Sequence, residues 1–196
     1  MMVKICGITN RGDALAAVDG GASALGFNFY PPSPRYIAPE PAEAILAALP
    51  AGVVKVGVFV NEAAESVASL AGKLGLDVVQ LHGESIEIPA GLRVWRALPV
   101  ALDFDVASLD ELPAEAFLLD APSGSAYGGT GRSFDWSLAR GARRPVIIAG
   151  GLDETNVRRA IEEAQPWGVD ACSRLESSPG QKDRRRMAQF LEAARS

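Results

Sequence analysis

Residues 53–81, VVKVGVFVNEAAESVASLAGKLGLDVVQL, decide the fold class. Val53–Val60 is an apolar run of strand length, rich in β-branched residues. Glu62–Leu74 then carries apolar residues at helical spacing, and Asp77–Leu81 is a second short apolar run. Two strands joined by a connection of a dozen or more residues pair in parallel, with the helix covering the sheet. The same unit extends outward in both directions. Toward the N-terminus stand strand Val3–Cys6, helix Arg11–Asp19 with its stop at Gly20-Gly21, strand Ala24–Phe29 and helix Pro41–Leu49. Toward the C-terminus, Leu92–Pro99, Phe117–Asp120, Pro145–Ala149 and Val169–Ser173 read as strands, with helices over Glu154–Glu163 and Asp183–Ala194. The segments after the fourth and fifth strands are weakly helical, so their crossovers are expected to be short or irregular. Eight strands without a reversal signal predict a closed (β/α)8 TIM barrel, α/β in class, forming one domain over residues 1–196. The usual barrel needs about 250 residues, so this one is expected to be trimmed.

Composition bounds the function. The chain is 48% hydrophobic and carries a net charge of −5, which speaks against a nucleic-acid-binding face. No run of about 18 apolar residues offers a membrane span, and the N-terminus lacks a signal peptide's apolar core. A cytoplasmic protein is expected, with a small molecule as partner and no membrane or nucleic acid. Two cysteines and one histidine supply no zinc-ligand cluster and no disulfide framework. No metal is expected, and the oligomeric state is left open between monomer and homodimer.

The placement of reactive residues is more informative than their number. Strand one ends in Cys6-Gly7, strand two in Asn28, strand four in Gln80-Leu81-His82-Gly83, and strand six in Asp120-Ala121. Strand seven ends in Gly150-Gly151 and strand eight in Cys172-Ser173. In a barrel all these ends share the C-terminal rim, where active sites lie. Gly128-Gly129-Thr130-Gly131 and Gly150-Gly151 suggest a phosphate cradle, since glycines let several backbone N–H groups approach one anion. A helix N-terminus after strand eight would add its dipole. Neither cluster is a dinucleotide or nucleoside-triphosphate loop.

Lys4-Ile5-Cys6-Gly7-Ile8-Thr9 closely resembles the opening motif of the phosphoribosylanthranilate isomerases. The resemblance continues in order through Leu25-Gly26-Phe27, Ser33-Pro34-Arg35-Tyr36, Val56–Asn61, Val79–Gly83, Gly129-Thr130-Gly131, Ala149–Leu152 and Glu176–Gly180. It implies an Amadori rearrangement of N-(5′-phosphoribosyl)anthranilate in tryptophan biosynthesis, with no cofactor. It further implies that Asp120 is the general acid that opens the ribose ring and Cys6 the general base that removes the C2′ proton. Arg35 would meet the anthranilate carboxylate, and Gln80 and His82 would touch substrate. Gly129, Thr130, Gly131, Gly150, Gly151 and Ser173 would hold the phosphate.

The chain departs from the family after strand eight, where a Ser-Ser-Gly-Val-Glu-like run is usual and Cys172-Ser173-Arg174-Leu175-Glu176 stands instead. Arg174 trades backbone access for a charge, and Cys172 is given no phosphate contact. Two rival functions remain: another sugar-phosphate barrel isomerase or epimerase, and a catalytically silent phosphate-binding barrel. A Schiff-base lyase is disfavoured, because Lys4 and Lys55 fall short of their strand ends. Strands one and eight are neighbours in a closed barrel, so Cys6 and Cys172 are expected to lie near one another.

Overall fold

The computed structural model describes residues 1–83, 87–122 and 133–196. Strands β1 (Met2–Ile5), β2 (Ala24–Asn28), β3 (Val54–Val60), β4 (Val78–His82), β5 (Val94–Pro99), β6 (Ala116–Asp120), β7 (Val146–Ile148) and β8 (Gly168–Ala171) close into a barrel in sequence order. Every neighbouring pair is parallel, and β1 closes on β8. Helices α1 (Arg11–Asp19), α2 (Pro39–Leu46) and α3 (Ala64–Leu74) cover the first three crossovers. Helix α4 (Val157–Ala164) follows β7, and α5 (Arg184–Arg195) follows β8.

The trimming falls where the sequence suggests. Among the described residues, β4 to β5 carries no helix, and β5 to β6 carries only a 3-10 turn at Val106–Glu111. The described part of the β6 to β7 crossover holds a 3-10 turn at Trp136–Ala139. The strand expected over Val169–Ser173 ends at Ala171, which leaves Cys172 and Ser173 on the loop. The expected helix N-terminus after it is a three-residue 3-10 turn, Ser173–Leu175. A small antiparallel hairpin, β9 (Glu176–Ser178) and β10 (Gln181–Lys182), follows it. No periodicity over so few residues announces such a hairpin.

Alternation along the strands makes two cores. Met2, Ala24, Val56, Val78, Trp95, Leu118 and Ile147 meet inside the barrel. Their strand neighbours Val3, Ile5, Leu25, Phe27, Val79, Phe117 and Val169 turn outward against the helices. This is the period-two rule applied to a sheet buried on both faces. It explains why the strands read as continuous apolar runs, and it fixes which residues can reach the barrel mouth.

The start of α1 ties the first crossover to the last. The side-chain oxygen of Asn10 accepts from the Asp13 amide at 2.8 Å, and its amide donates to the Asp13 carboxylate at 2.8 Å. That carboxylate also accepts from the Lys182 amide at 2.7 Å. Asn10→Ala is expected to cost about 1 kcal/mol, the usual value of a lost N-cap, seen as a lower urea midpoint at unchanged slope.

Candidate active site

A cavity of about 250 Å³ opens at the C-terminal mouth of the barrel. Cys6, Arg35, Gln80, His82, Asp120, Gly150, Gly151 and Ser173 all line it, as the sequence predicts. Gly129, Thr130 and Gly131 lie outside the described residues.

The deepest polar group was not foreseen. Lys4 is fully buried within the barrel, and its ammonium lies 2.9 Å from an Asp170 carboxylate oxygen. The two residues face each other in register across β1 and β8. Burial alone would lower the Lys4 pKa, but Asp170 and Cys6 outweigh it and keep the amine charged. Asp170 is pushed up to about 7, since desolvation exceeds the help from Lys4. Residues two apart on a strand share a face, so Lys4 stands directly beneath Cys6. Gly26 on β2 leaves the space for this: a Cβ there would come within 2.7 Å of the Cys6 sulfur and 3.1 Å of the Lys4 nitrogen.

Those neighbours set the protonation of the site. Hydrogen bonding from Cys172, and then the charge of Lys4, hold the Cys6 thiol well below its ordinary value despite burial. Across the mouth, Asp120 is pushed up to about 6 by desolvation, opposed by its bond to the Ala121 amide and raised again by Cys6. One group is thus poised as a base and the other as an acid, as environments that separate two pKa values arrange. Burial, helped by Lys4, lowers His82 to about 4, so the imidazole is neutral at pH 7. The Gln80 side-chain amide lies 2.8 Å from its Nε2, a hydrogen bond that fixes the ring's orientation in the cavity wall. Gln80 Oε1 is buried without a partner among the described residues, an acceptor in the cavity wall.

Arg35 is held from both sides. Asn28 at the end of β2 accepts from the Tyr30 amide at 2.9 Å and donates to Ser33 Oγ at 3.1 Å. Ser33 Oγ in turn accepts from the Arg35 amide at 3.2 Å. The guanidinium then spends Nε and Nη2 on Glu176, at 2.8 to 3.0 Å. Glu176 also accepts from Lys182 Nζ at 3.0 Å. Burial alone would raise Glu176, but these two cations hold it below the usual carboxylate range. The Arg35 fork expected to face a substrate carboxylate is therefore partly engaged, which leaves Nη1 for a ligand. Gly150 and Gly151 take left-handed backbone angles, φ 80° and 62°, which only glycine adopts without strain. Arg174 bonds Asp153 at 2.7 Å beside them.

Lys4→Met tests the electrostatic design. Removing one partner of a buried pair costs about 3–5 kcal/mol. Here the abandoned Asp170 can take a proton instead, so the cost is expected to be smallest below its midpoint of about 7 and to grow above it. Urea unfolding of both proteins on either side of that pH measures the difference; a pH-independent cost would show that Asp170 is not the group left uncompensated.

Comparison with known proteins agrees with this geometry. A family model described as N-(5′-phosphoribosyl)anthranilate (PRA) isomerase matches residues 3–193. A relative from Solibacter usitatus, named N-(5′-phosphoribosyl)anthranilate isomerase, is 52% identical over all of this chain and 98% of its own. The phosphoribosyl anthranilate isomerase of Thermotoga maritima superposes with a TM-score of 0.88 at 41% identity, covering 100% of this chain and 98% of that one. A crystal structure of the same kind of isomerase in complex with reduced 1-(o-carboxyphenylamino)-1-deoxyribulose 5-phosphate matches with a TM-score of 0.85 at 39% identity, over 100% and 98% of the two chains. Barrel, rim and sequence coincide along nearly the whole chain, which belongs to the phosphoribosylanthranilate isomerase family.

Proposed function

We propose that this chain catalyses the Amadori rearrangement of N-(5′-phosphoribosyl)anthranilate to 1-(2-carboxyphenylamino)-1-deoxyribulose 5-phosphate, with Asp120 as general acid and Cys6 as general base. The observation that carries the assignment is the presence of a depressed thiol and a raised carboxyl in one small cavity. Asp120 gives its proton to the ribose ring oxygen, and the C1′–O bond opens to a protonated Schiff base. The Cys6 thiolate takes the C2′ proton, and the electron pair moves into a C1′–C2′ double bond. The resulting enolamine tautomerises to the ketone. No step needs a metal or an organic cofactor.

The remaining cavity groups bind and orient. The phosphate rests on the backbone of Gly150 and Gly151 with Ser173 beside it; the family resemblance assigns Gly129, Thr130 and Gly131 to the same ligand group. Arg35 Nη1 faces the anthranilate carboxylate, while neutral His82 and Gln80 offer a donor and an acceptor to the sugar. The substrate's negative charge raises Asp120 further, so its proton is retained until the ring oxygen takes it. The partner is this small molecule, and the location is cytoplasmic. The active unit is a monomer or a homodimer; the Thermotoga maritima enzyme is described both as dimeric and as generated monomers.

Turnover of freshly made phosphoribosylanthranilate, followed by loss of its fluorescence, tests the reading. Turnover that needs both Asp120 and Cys6 supports it. Tight binding of the reduced product without turnover would instead identify a silent phosphate-binding barrel.

A further inference from the structure

The Lys4–Asp170 couple has a neighbour one step further along the same two strands. β1 and β8 run in register from Met2↔Gly168 to Ile5↔Ala171. The Cys6 amide donates to the Ala171 carbonyl at 3.0 Å, so Cys6 and Cys172 are the next opposed positions. Both side chains turn to the cavity, and neither cysteine is in a disulfide. The Cys172 sulfur leans over the loop that follows β1: a Cβ on Gly7 would lie 2.9 Å from it. On its far side, Lys182 Nζ stands 3.7 Å away.

We propose that Cys6 and Cys172 form a reversible oxidation site, in which a hydroperoxide oxidises Cys6 and Cys172 then closes a disulfide with it. In the first step the Cys6 thiolate attacks the peroxide, the O–O bond breaks, and a sulfenic acid and hydroxide (or alkoxide) result. In the second, the Cys172 sulfur attacks the sulfenic sulfur, the S–O bond breaks, and the Cys172 proton leaves with the hydroxyl as water. The peroxide is reduced by two electrons, and the two thiols supply them.

The surroundings favour each step in turn. Cys172 beside Cys6, and then the Lys4 ammonium beneath it, favour the thiolate that a peroxide attacks. Cys172 keeps its proton because the Cys6 sulfur beside it and its burial both raise it, and its Sγ donates to Glu176 Oε1 at 3.7 Å. Once Cys6 is a neutral sulfenic acid its share of that restraint is gone, and Lys182, shared between Cys172 Sγ at 3.7 Å and Glu176 at 3.0 Å, favours the thiolate. Oxidation of the first thiol thereby activates the second. Ile5 and Ala171, the residues just before the two cysteines, pair in register, and neighbouring strands lie about 4.8 Å apart, within the Cα range a disulfide spans.

The test uses the full chain with hydrogen peroxide at several equivalents per chain, followed by alkylation, intact mass and peptide mapping. The wild type is expected to lose two hydrogens, to leave no alkylatable thiol, and to yield a peptide joining Cys6 to Cys172. Dithiothreitol should restore both mass and turnover. Cys172→Ser, read against its own untreated sample, should add oxygen at Cys6 to the sulfinic stage, with no recovery by dithiothreitol. Wild-type protein that adds oxygen at Cys6 while Cys172 stays alkylatable overturns the proposal, as does protein in which both thiols stay free. Mass decides the outcome without reference to turnover, so it stands apart from the assignment of Cys6 as catalytic base.

Discussion

Asp120→Asn is expected to lower kcat by about 10²–10⁴-fold, the usual contribution of a positioned acid, and at the same time to make the folded protein more stable above pH 6. The amide side chain preserves the shape and can still accept the 2.8 Å bond from the Ala121 amide. It cannot deliver a proton to a ring oxygen, so ring opening slows. The stability effect has the opposite sign because the wild-type carboxyl is held at about 6 against 3.8 by burial. The folded state therefore binds its proton more tightly than the unfolded chain, and wild-type stability falls as pH rises from about 4 to about 6. Two pH units correspond to about 3 kcal/mol at most, and relaxation in the mouth reduces that to about 2. The variant should gain this margin at pH 8 and show none at pH 4. In the wild type, kcat/KM should decline on the alkaline side near pH 6, while kcat declines at higher pH because bound substrate holds the proton. Urea unfolding at the two pH values and a pH–rate profile measure these effects together. Activity within tenfold of wild type would remove Asp120 from the mechanism.

Cys6→Ser carries the second large effect, again a kcat loss of about 10²–10⁴-fold. A hydroxyl is far less acidic than a thiol, and the Lys4 ammonium cannot make it a thiolate-like base at neutral pH. Binding of the reduced product should survive in this variant, since the residues proposed to hold phosphate and carboxylate are untouched. A kcat loss with little change in analogue affinity marks an interaction made only in the transition state. The wild-type thiol should also react with iodoacetamide at lower pH than an ordinary thiol, because it is held below its ordinary value. Lys4→Met should move that alkylation profile to higher pH, and an unmoved profile would show that Lys4 does not govern the base.

Much of the site was legible in the chain because strand ends are legible. Cys6, His82, Asp120 and Gly150-Gly151 each follow an apolar run, and a closed barrel sends all such ends to one mouth. The element boundaries were less secure where no periodicity exists: β8 stops at Ala171, and a three-residue 3-10 turn stands where a helix start was expected. Lys4 and Asp170 were readable in principle. Each stands two residues before a cysteine already placed at the rim, so strand alternation puts them on the same inner face. Lys4 was weighed only as a Schiff-base lysine, and Asp170, inside an apolar run, carried no signal of its own.

The amino-acid sequence by itself determined the succession of strands and helices, the parallel closure and the identity of the family, because these follow from local periodicity and from motifs in order. Only the tertiary structure decided the protonation of the site. Lys4 and Asp170 are separated by 166 positions, and so are Cys6 and Cys172, so their meeting depends on the closure of β1 against β8. A thiol becomes a base, and a carboxyl an acid, through distance and lost water, and neither quantity exists until the chain has folded.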